Sequence, residues 1–360
     1  MKLAASMIAA DAIVVASAPM RISLAGGGTD LPSYANHFGG TVVGLAIDRY
    51  VQVLCCPTGR AEQLDALLEG VEHIGHDELL EDAFTQAAVR RAGSPNVRLA
   101  CVSDAAPRSG LGGSGAFLVS LLAALRGGVS AGPVALAEQA SAVEMLDLSR
   151  MVGKQDHYLA SLGGMRVLRI DRKGRVSPEA FAMSERFRHY VDKRLLLFHT
   201  GLQRDAGKVL ARQDDQTRRA DQDTVGRLHA IQELAHTLLS ALKDDRVEEI
   251  GPILAEHWRC KAGLSDAVSV PHAVELLERA QAAGADGGKL VGAGGGGCLL
   301  LSCRPGRQTS VRQAMLAMGA VELPFGPSDI GVASRLVSVD QAGPNPGVLL
   351  ASGSVDGSAA

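Results

Sequence analysis

Apolar and β-branched residues dominate two early stretches, 13–24 and 41–56, and both predict strands, the second long enough for one or two. Helical spacing follows over 78–91, and a short strand over 97–103. Residues 105–113 read as a loop. Residues 114–126 are apolar nearly all round, the pattern of a helix buried on every side. A helix over 133–146 begins with Pro133, where a proline fits. Residues 165–170 predict a strand, and 171–186 are more polar without clear period, which places a domain boundary there. Beyond it, 195–199 is a buried strand, and 206–256 is helical in two or three pieces broken at Gly251-Pro252. Residues 271–283 are a helix. Strands at 289–291 and 298–302 flank a glycine run, 308–318 is a helix, and 330–337 a last strand. Strands and helices mixed in both halves make an α+β protein with domains over 13–175 and 190–338. A Gly, Ser and Pro-rich tail over 341–360 reads as disordered.

At 360 residues, the chain is long enough for a large core and about two domains. Only 3% of it is aromatic, so Ala, Val and Leu must build that core. A net charge of −3 gives no electrostatic footprint for nucleic acid, and few aromatics leave no base-stacking platform. Six cysteines without a Cys-x-x-Cys pair read as reduced thiols of a cytoplasmic protein. His73, His76 and His199 have no metal-binding spacing. Residues 1–18 imitate an export leader. Asp11 interrupts the apolar run, however, and cleavage would cut into a strand, so we expect no export. No run approaches a membrane span.

The 42 glycines are in excess and clustered. Pro107-Arg108-Ser109-Gly110-Leu111-Gly112-Gly113-Ser114-Gly115-Ala116 leads into the buried helix. Such a loop can hold an anion on free backbone N–H groups, or it can be an ordinary turn with a serine cap. It is not a Walker A loop, because no Lys-Ser/Thr follows. Gly292-Ala293-Gly294-Gly295-Gly296-Gly297 contains G-x-G-x-x-G, yet a strand follows directly, so it reads as a turn between strands and not as a dinucleotide fold. Gly26-Gly27-Gly28-Thr29-Asp30 follows the first strand and suits sugar hydroxyls or a capped turn.

Three such clusters in this order resemble the GHMP kinase superfamily. Ala18-Pro19-Met20-Arg21-Ile22-Ser23-Leu24 is similar to its first motif, 107–116 to its second, and 289–297 to its third. Gly26-Gly27-Gly28-Thr29-Asp30-Leu31-Pro32, Val152-Gly153-Lys154-Gln155-Asp156-His157-Tyr158 and Leu197-Phe198-His199-Thr200-Gly201 resemble the D-glycero-D-manno-heptose 7-phosphate kinases in particular. Gly27-Gly28 stand where galactokinases have Glu-His. The resemblance implies the GHMP fold. That fold joins an N-terminal domain like ribosomal protein S5 to a ferredoxin-like C-terminal domain, with a cleft between them.

It also implies roles. ATP would lie on Pro107, Gly110, Leu111, Gly112, Gly113, Ser114 and Gly115. Mg²⁺ would be held by Ser114 and Glu144, hard oxygen donors of the kind it takes. Asp156 would be general base or orienting carboxylate, with Arg21 as its counter-ion and Lys154 close by. Gly27, Gly28, Thr29, Asp30, Thr200 and Gly294, Gly295, Gly296 would line the sugar site, and Arg204 and Lys208 would hold a sugar phosphate. The family's second motif carries a serine at the place of Gly113, so this loop works with one hydroxyl fewer. The implied reaction phosphorylates the anomeric hydroxyl of a heptose 7-phosphate, in a monomer or homodimer with no membrane or nucleic-acid partner. A kinase of an unphosphorylated sugar such as L-fucose is the alternative enzyme. A non-catalytic nucleotide-binding relative is the alternative of another class.

Overall fold

The computed structural model describes residues 12–58, 64–68, 71–75, 82–93, 96–129, 132–202, 206–264, 268 and 270–338. The leader-like residues 1–11, the tail over 341–360, His76 and Arg204 lie outside them, as do the side chains of His73 and Lys208. In chain order the first half comprises β1 (Ala12–Ala25), α1 (Pro32–Phe38), β2 (Gly40–Pro57), β3 (Leu64–Leu68), β4 (Val71–Gly75), α2 (Ala83–Ala92), β5 (Val97–Ser103), α3 (Gly113–Leu125), α4 (Pro133–Ala142), α5 (Gln155–Leu162), β6 (Met165–Ile170) and β7 (Val176–Ala180). The second half comprises α6 (Glu185–Arg194), β8 (Leu195–His199), α7 (Ala206–Arg218), α8 (Gln222–Lys243), α9 (Ile250–Ala262), α10 (Pro271–Ala283), β9 (Ala285–Leu290), β10 (Cys298–Cys303), α11 (Gln308–Ala317), β11 (Val321–Glu322) and β12 (Ala333–Ser338).

Two sheets organise these elements. The first runs β12-β1-β2-β5-β3-β4, and β2 is long enough to pair with β5 by one half and with β6 by the other. The second runs β11-β8-β10-β9. The α+β class is as expected. One strand is shared across the halves: β12, at the far end of the chain, pairs antiparallel with β1, so the C-terminus closes the N-terminal sheet. Beneath that sheet lies α3, whose Leu118, Val119, Leu121, Leu122, Ala123 and Ala124 are wholly buried. Small and aliphatic side chains therefore do fill the core.

The helical stretch over 206–256 does not break at Gly251-Pro252. Pro252 sits in the first turn of α9, where its missing N–H has no intrahelical partner to lose. The break comes earlier, at Asp244–Arg246, where Asp245 takes a left-handed conformation (φ 56°). Besides β7, α6 and β11, three further stretches carried too little pattern to be anticipated. They are α1, the β3–β4 hairpin and α5, the last of which holds Asp156 in its first turn. The six cysteines form no disulfide, and burial pushes the Cys55, Cys298 and Cys303 thiols up to about 12. Such thiols are inert packing groups. Among the described residues no helix is long and apolar enough to cross a membrane.

Candidate active site

The second glycine loop, 107–112, folds over the inner end of β1. Arg21 is fixed there by its backbone, whose N–H donates to Leu111 O at 2.9 Å. Its guanidinium then does two things. Nη1 donates to Gly110 O at 2.5 Å, and Nε and Nη2 grip Asp156 Oδ1 at 2.7 and 2.6 Å. The Arg21 side chain is 5% exposed and that of Asp156 is 24% exposed, so the pair opens to solvent on the carboxylate side. Close approach of backbone makes this possible. A Cβ on Gly112 would touch the Arg21 side chain, and one on Gly115 would lie 2.6 Å from Asp156 Cβ. Glycine at 115 thus lets the start of α3 seat against the start of α5.

At the same helix start the cradle is open. Gly112 caps α3 in the left-handed conformation (φ 77°) and offers no side chain to the free N–H groups of the first turn. A Cβ on Gly113 would meet nothing within 4 Å, and Ser114 is exposed. Uncapped N–H groups at a helix N-terminus with open space before them fit a phosphate. Thus the ATP phosphates fit these residues.

For Mg²⁺, Ser114 Oγ offers a hard oxygen. Glu144 lies on a π-helical turn (Val143–Asp147) that continues α4, and it is only 2% exposed. Its oxygens stand 3.3 Å from Arg150 Nε and 3.0 Å from His157 Nε2, yet neither nitrogen meets it in hydrogen-bond geometry. A buried carboxylate whose neighbouring nitrogens leave its lone pairs poorly used fits a cation ligand.

The first loop differs from its expected role at one residue. Thr29 is wholly buried. Its hydroxyl donates to Gly26 O at 2.8 Å and accepts from the Thr41 N–H at 3.2 Å, so it ties the loop to β2 and has nothing left for a sugar. Asp30 is also buried. It accepts from the N–H groups of Gly28 and Gln155 and from Gln155 Nε2, and burial, followed by the Asp156 charge, pushes its carboxyl above the usual range. Gly153 is glycine because any Cβ there would collide with this carboxylate. Beside Gly27 lies a different pair, Ser23 Oγ and Gln155 Oε1. Both are buried polar atoms without a partner, and a Cβ on Gly27 would sit against both side chains. Unspent buried polar atoms of this kind suit a bound polyol. Gln213 of α7 closes the loop from the other half, donating to Gly28 O at 3.3 Å. We expect Thr29→Val to leave kcat and KM within about threefold while costing roughly 1–3 kcal/mol, since Gly26 O and Thr41 N–H lose a buried partner. Urea unfolding beside steady-state kinetics reads both, and a raised sugar KM at unchanged stability would return Thr29 to the sugar.

Lys154 is not brought to the Arg21–Asp156 pair. Its ammonium is taken by both oxygens of Glu138 at 2.8 Å and by Gly174 O at 3.0 Å, a brace between α4, α5 and the turn after β6. The third loop joins the halves. Thr200 Oγ1 donates to Gly297 O, the Gly295 N–H to Val268 O, and the Cys298 N–H to Ser109 O at 2.8 Å. A Cβ on Gly296 would press on Leu202 O. Thr200 and Gly294–Gly296 therefore hold the third loop in place beside the second. Like Ser23 and Gln155, Lys261 was not picked out by the sequence: it comes from the end of α9, and its buried ammonium reaches Gly292 O.

The fold thus sets an open, glycine-rich helix start above an Arg–Asp pair and ties the second half to it by a glycine loop, and it is similar to the GHMP kinases. Residues 238–321 match the family model described as GHMP kinases C terminal. Among kinases of that type the chain resembles those acting on heptose phosphates. It is 25% identical over 314 residues to the D-glycero-alpha-D-manno-heptose 7-phosphate kinase of Campylobacter jejuni, covering 82% of this chain and 91% of that protein. The crystal structure of a D-glycero-D-manno-heptose 1-phosphate kinase from Bacteroides thetaiotaomicron superposes with a TM-score of 0.71 at 22% identity, covering 89% of this chain and 98% of that one. A Lactococcus lactis galactokinase complexed with galactose superposes at 0.69 with 16% identity, over 90% and 95% of the two chains.

Proposed function

We propose that this chain transfers the γ-phosphoryl group of ATP to the anomeric C1 hydroxyl of D-glycero-D-manno-heptose 7-phosphate, or a close epimer. The product is the 1,7-bisphosphate, an intermediate for nucleotide-activated heptose. The observation that carries the reading is the Arg21–Asp156 pair lying directly beneath the N-terminus of α3, so that acceptor base and phosphate cradle share one cleft. The similarity to heptose phosphate kinases supports the acceptor class.

The residues divide the work simply. Backbone N–H groups of Gly113 to Gly115 hold the phosphates, and the helix dipole favours their charge. Ser23 and Gln155 receive sugar hydroxyls. Asp156 Oδ2, the oxygen not gripped by Arg21, accepts the proton of the C1 hydroxyl as its oxygen bonds to the γ-phosphorus. The bond from that phosphorus to the β-bridging oxygen breaks, and ADP leaves with the electron pair. Arg21 keeps the carboxylate oriented throughout. Ser114 and Glu144 would hold Mg²⁺, which would neutralise charge on the triphosphate.

A coupled ADP-release assay over heptose 7-phosphates, free heptoses and free hexoses tests this, with Mg²⁺ present or chelated. The expected result is turnover confined to the heptose 7-phosphates and abolished by chelation. Turnover on free L-fucose or another unphosphorylated sugar alone would overturn the acceptor, and ATP binding without turnover on any sugar would overturn the enzyme.

A further inference from the structure

Behind the Arg21–Asp156 pair the second half of the chain places three basic side chains with no acidic partner among the described residues. Lys289 on β9 is 1% exposed, donates to Leu24 O at 3.1 Å and stands 3.5 Å from His257 Nδ1. His257 on α9 is wholly buried and its Nε2 has no partner. Lys261, one turn further along α9 and 5% exposed, uses one of its three donors on Gly292 O, in the third loop. That loop abuts Gly110, whose carbonyl is held by Arg21. The nearby carboxylates are already engaged, Asp30 by three N–H groups and Asp156 by Arg21. A buried ammonium with two idle donors and only a carbonyl for company is costly unless an anion visits it.

We propose that Lys261 is the cation that receives the phosphoryl group in transit, reaching it from the C-terminal half beside Gly292. Lys261 binds the equatorial phosphoryl oxygens with its unspent donors, and Gly292 O aims the ammonium. Lys289 lies behind, and burial, then Lys261 and Arg21, hold it well below the usual lysine range. Burial, then Lys289 and Lys261, push His257 well below the usual imidazole range. Lys261 itself is brought down to about 8, by burial first and then by Arg21, against which Asp30 and Asp156 act. It therefore carries its charge at neutral pH and sheds it just above.

The inference rests on the kinase reading above, and its test separates the two. Calorimetry on the full chain measures ADP with Mg²⁺, with and without aluminium fluoride, a mimic of a phosphoryl group in flight. We expect fluoride to tighten ADP at least tenfold in the natural chain. Lys261→Met should lose that gain with ADP alone unchanged within threefold, and Lys261→Arg should keep most of it. In turnover, Lys261→Met should lower kcat at least 100-fold with the sugar KM within threefold. The natural kcat should fall as pH rises through about 8, and in Lys261→Arg that fall should vanish, because a guanidinium stays charged. A sugar-phosphate KM raised more than tenfold at steady kcat would overturn the proposal, assigning Lys261 to the substrate's own phosphate. Unchanged binding, kinetics and pH profile would also overturn it, leaving a brace for the third loop. Should Lys261→Met fail to fold, the Lys261→Arg pH profile decides. If no sugar is turned over, the function falls, and the fluoride comparison still judges Lys261.

Discussion

Asp156→Asn leaves a protein that folds, binds ATP and sugar, and barely reacts: kcat drops by roughly 10²–10⁴-fold while both KM values stay within about threefold. A positioned general base contributes about that much and acts mainly in the transition state. The geometry explains why binding survives. Asp156 makes its ion pair with Arg21 through Oδ1, and an amide oxygen at that position still accepts from the guanidinium, so the cleft keeps its shape. The variant cannot take the hydroxyl proton. Steady-state kinetics with calorimetry of ADP and sugar settles the matter. A near-normal kcat would remove Asp156 from the chemistry and leave phosphate positioning to carry the reaction.

The second large effect belongs to Gly110. Its φ of +80° lies in the left-handed region, and a Cβ there would stand 2.5 Å from Val291 O, a backbone atom of the opposite half that has no side-chain freedom to yield. Left-handed strain costs roughly 1–2 kcal/mol and overpacking about 1–3, so Gly110→Ala should lose about 2–5 kcal/mol in urea unfolding. Function falls with it. The Gly110 carbonyl is also the acceptor for Arg21 Nη1, so displacing the loop disturbs the cradle and the counter-ion together. We expect ADP affinity to drop at least tenfold by calorimetry. Natural stability together with natural ADP affinity in this variant would mean that the two loops are not coupled through Gly110.

These two residues illustrate how unevenly the site could be read. Asp156 and Arg21 lie 135 positions apart, and no periodicity joins them; only their surrounding motifs suggested a pair. The second loop was visible as a glycine cluster before an apolar helix, a pattern that an anion site and a serine-capped turn share. Thr29 and Lys154 were misjudged for one reason. A hydroxyl or an ammonium beside a motif looks available until the backbone carbonyls and carboxylates around it are placed, and here Gly26, Glu138 and Gly174 claim them. Ser23, Gln155 and Lys261 are the opposite case. They are ordinary residues in the chain and become notable only as buried polar groups with donors or acceptors to spare.

By itself the sequence determined the α+β class, the aliphatic core and the three glycine loops, since each follows from local spacing or from the conformational freedom of glycine. Only the tertiary structure decided which polar groups remain free to do chemistry. It returned β12 to the first sheet, turned Glu144 inward on a π turn, spent Thr29 and Lys154 on bracing, and set a buried lysine from α9 behind the reacting pair. The physical reason is that reactivity depends on what is left unpaired after every polar group has found its partner, and those partners, three positions away for Thr29 and 135 for Arg21, are fixed only when the chain folds.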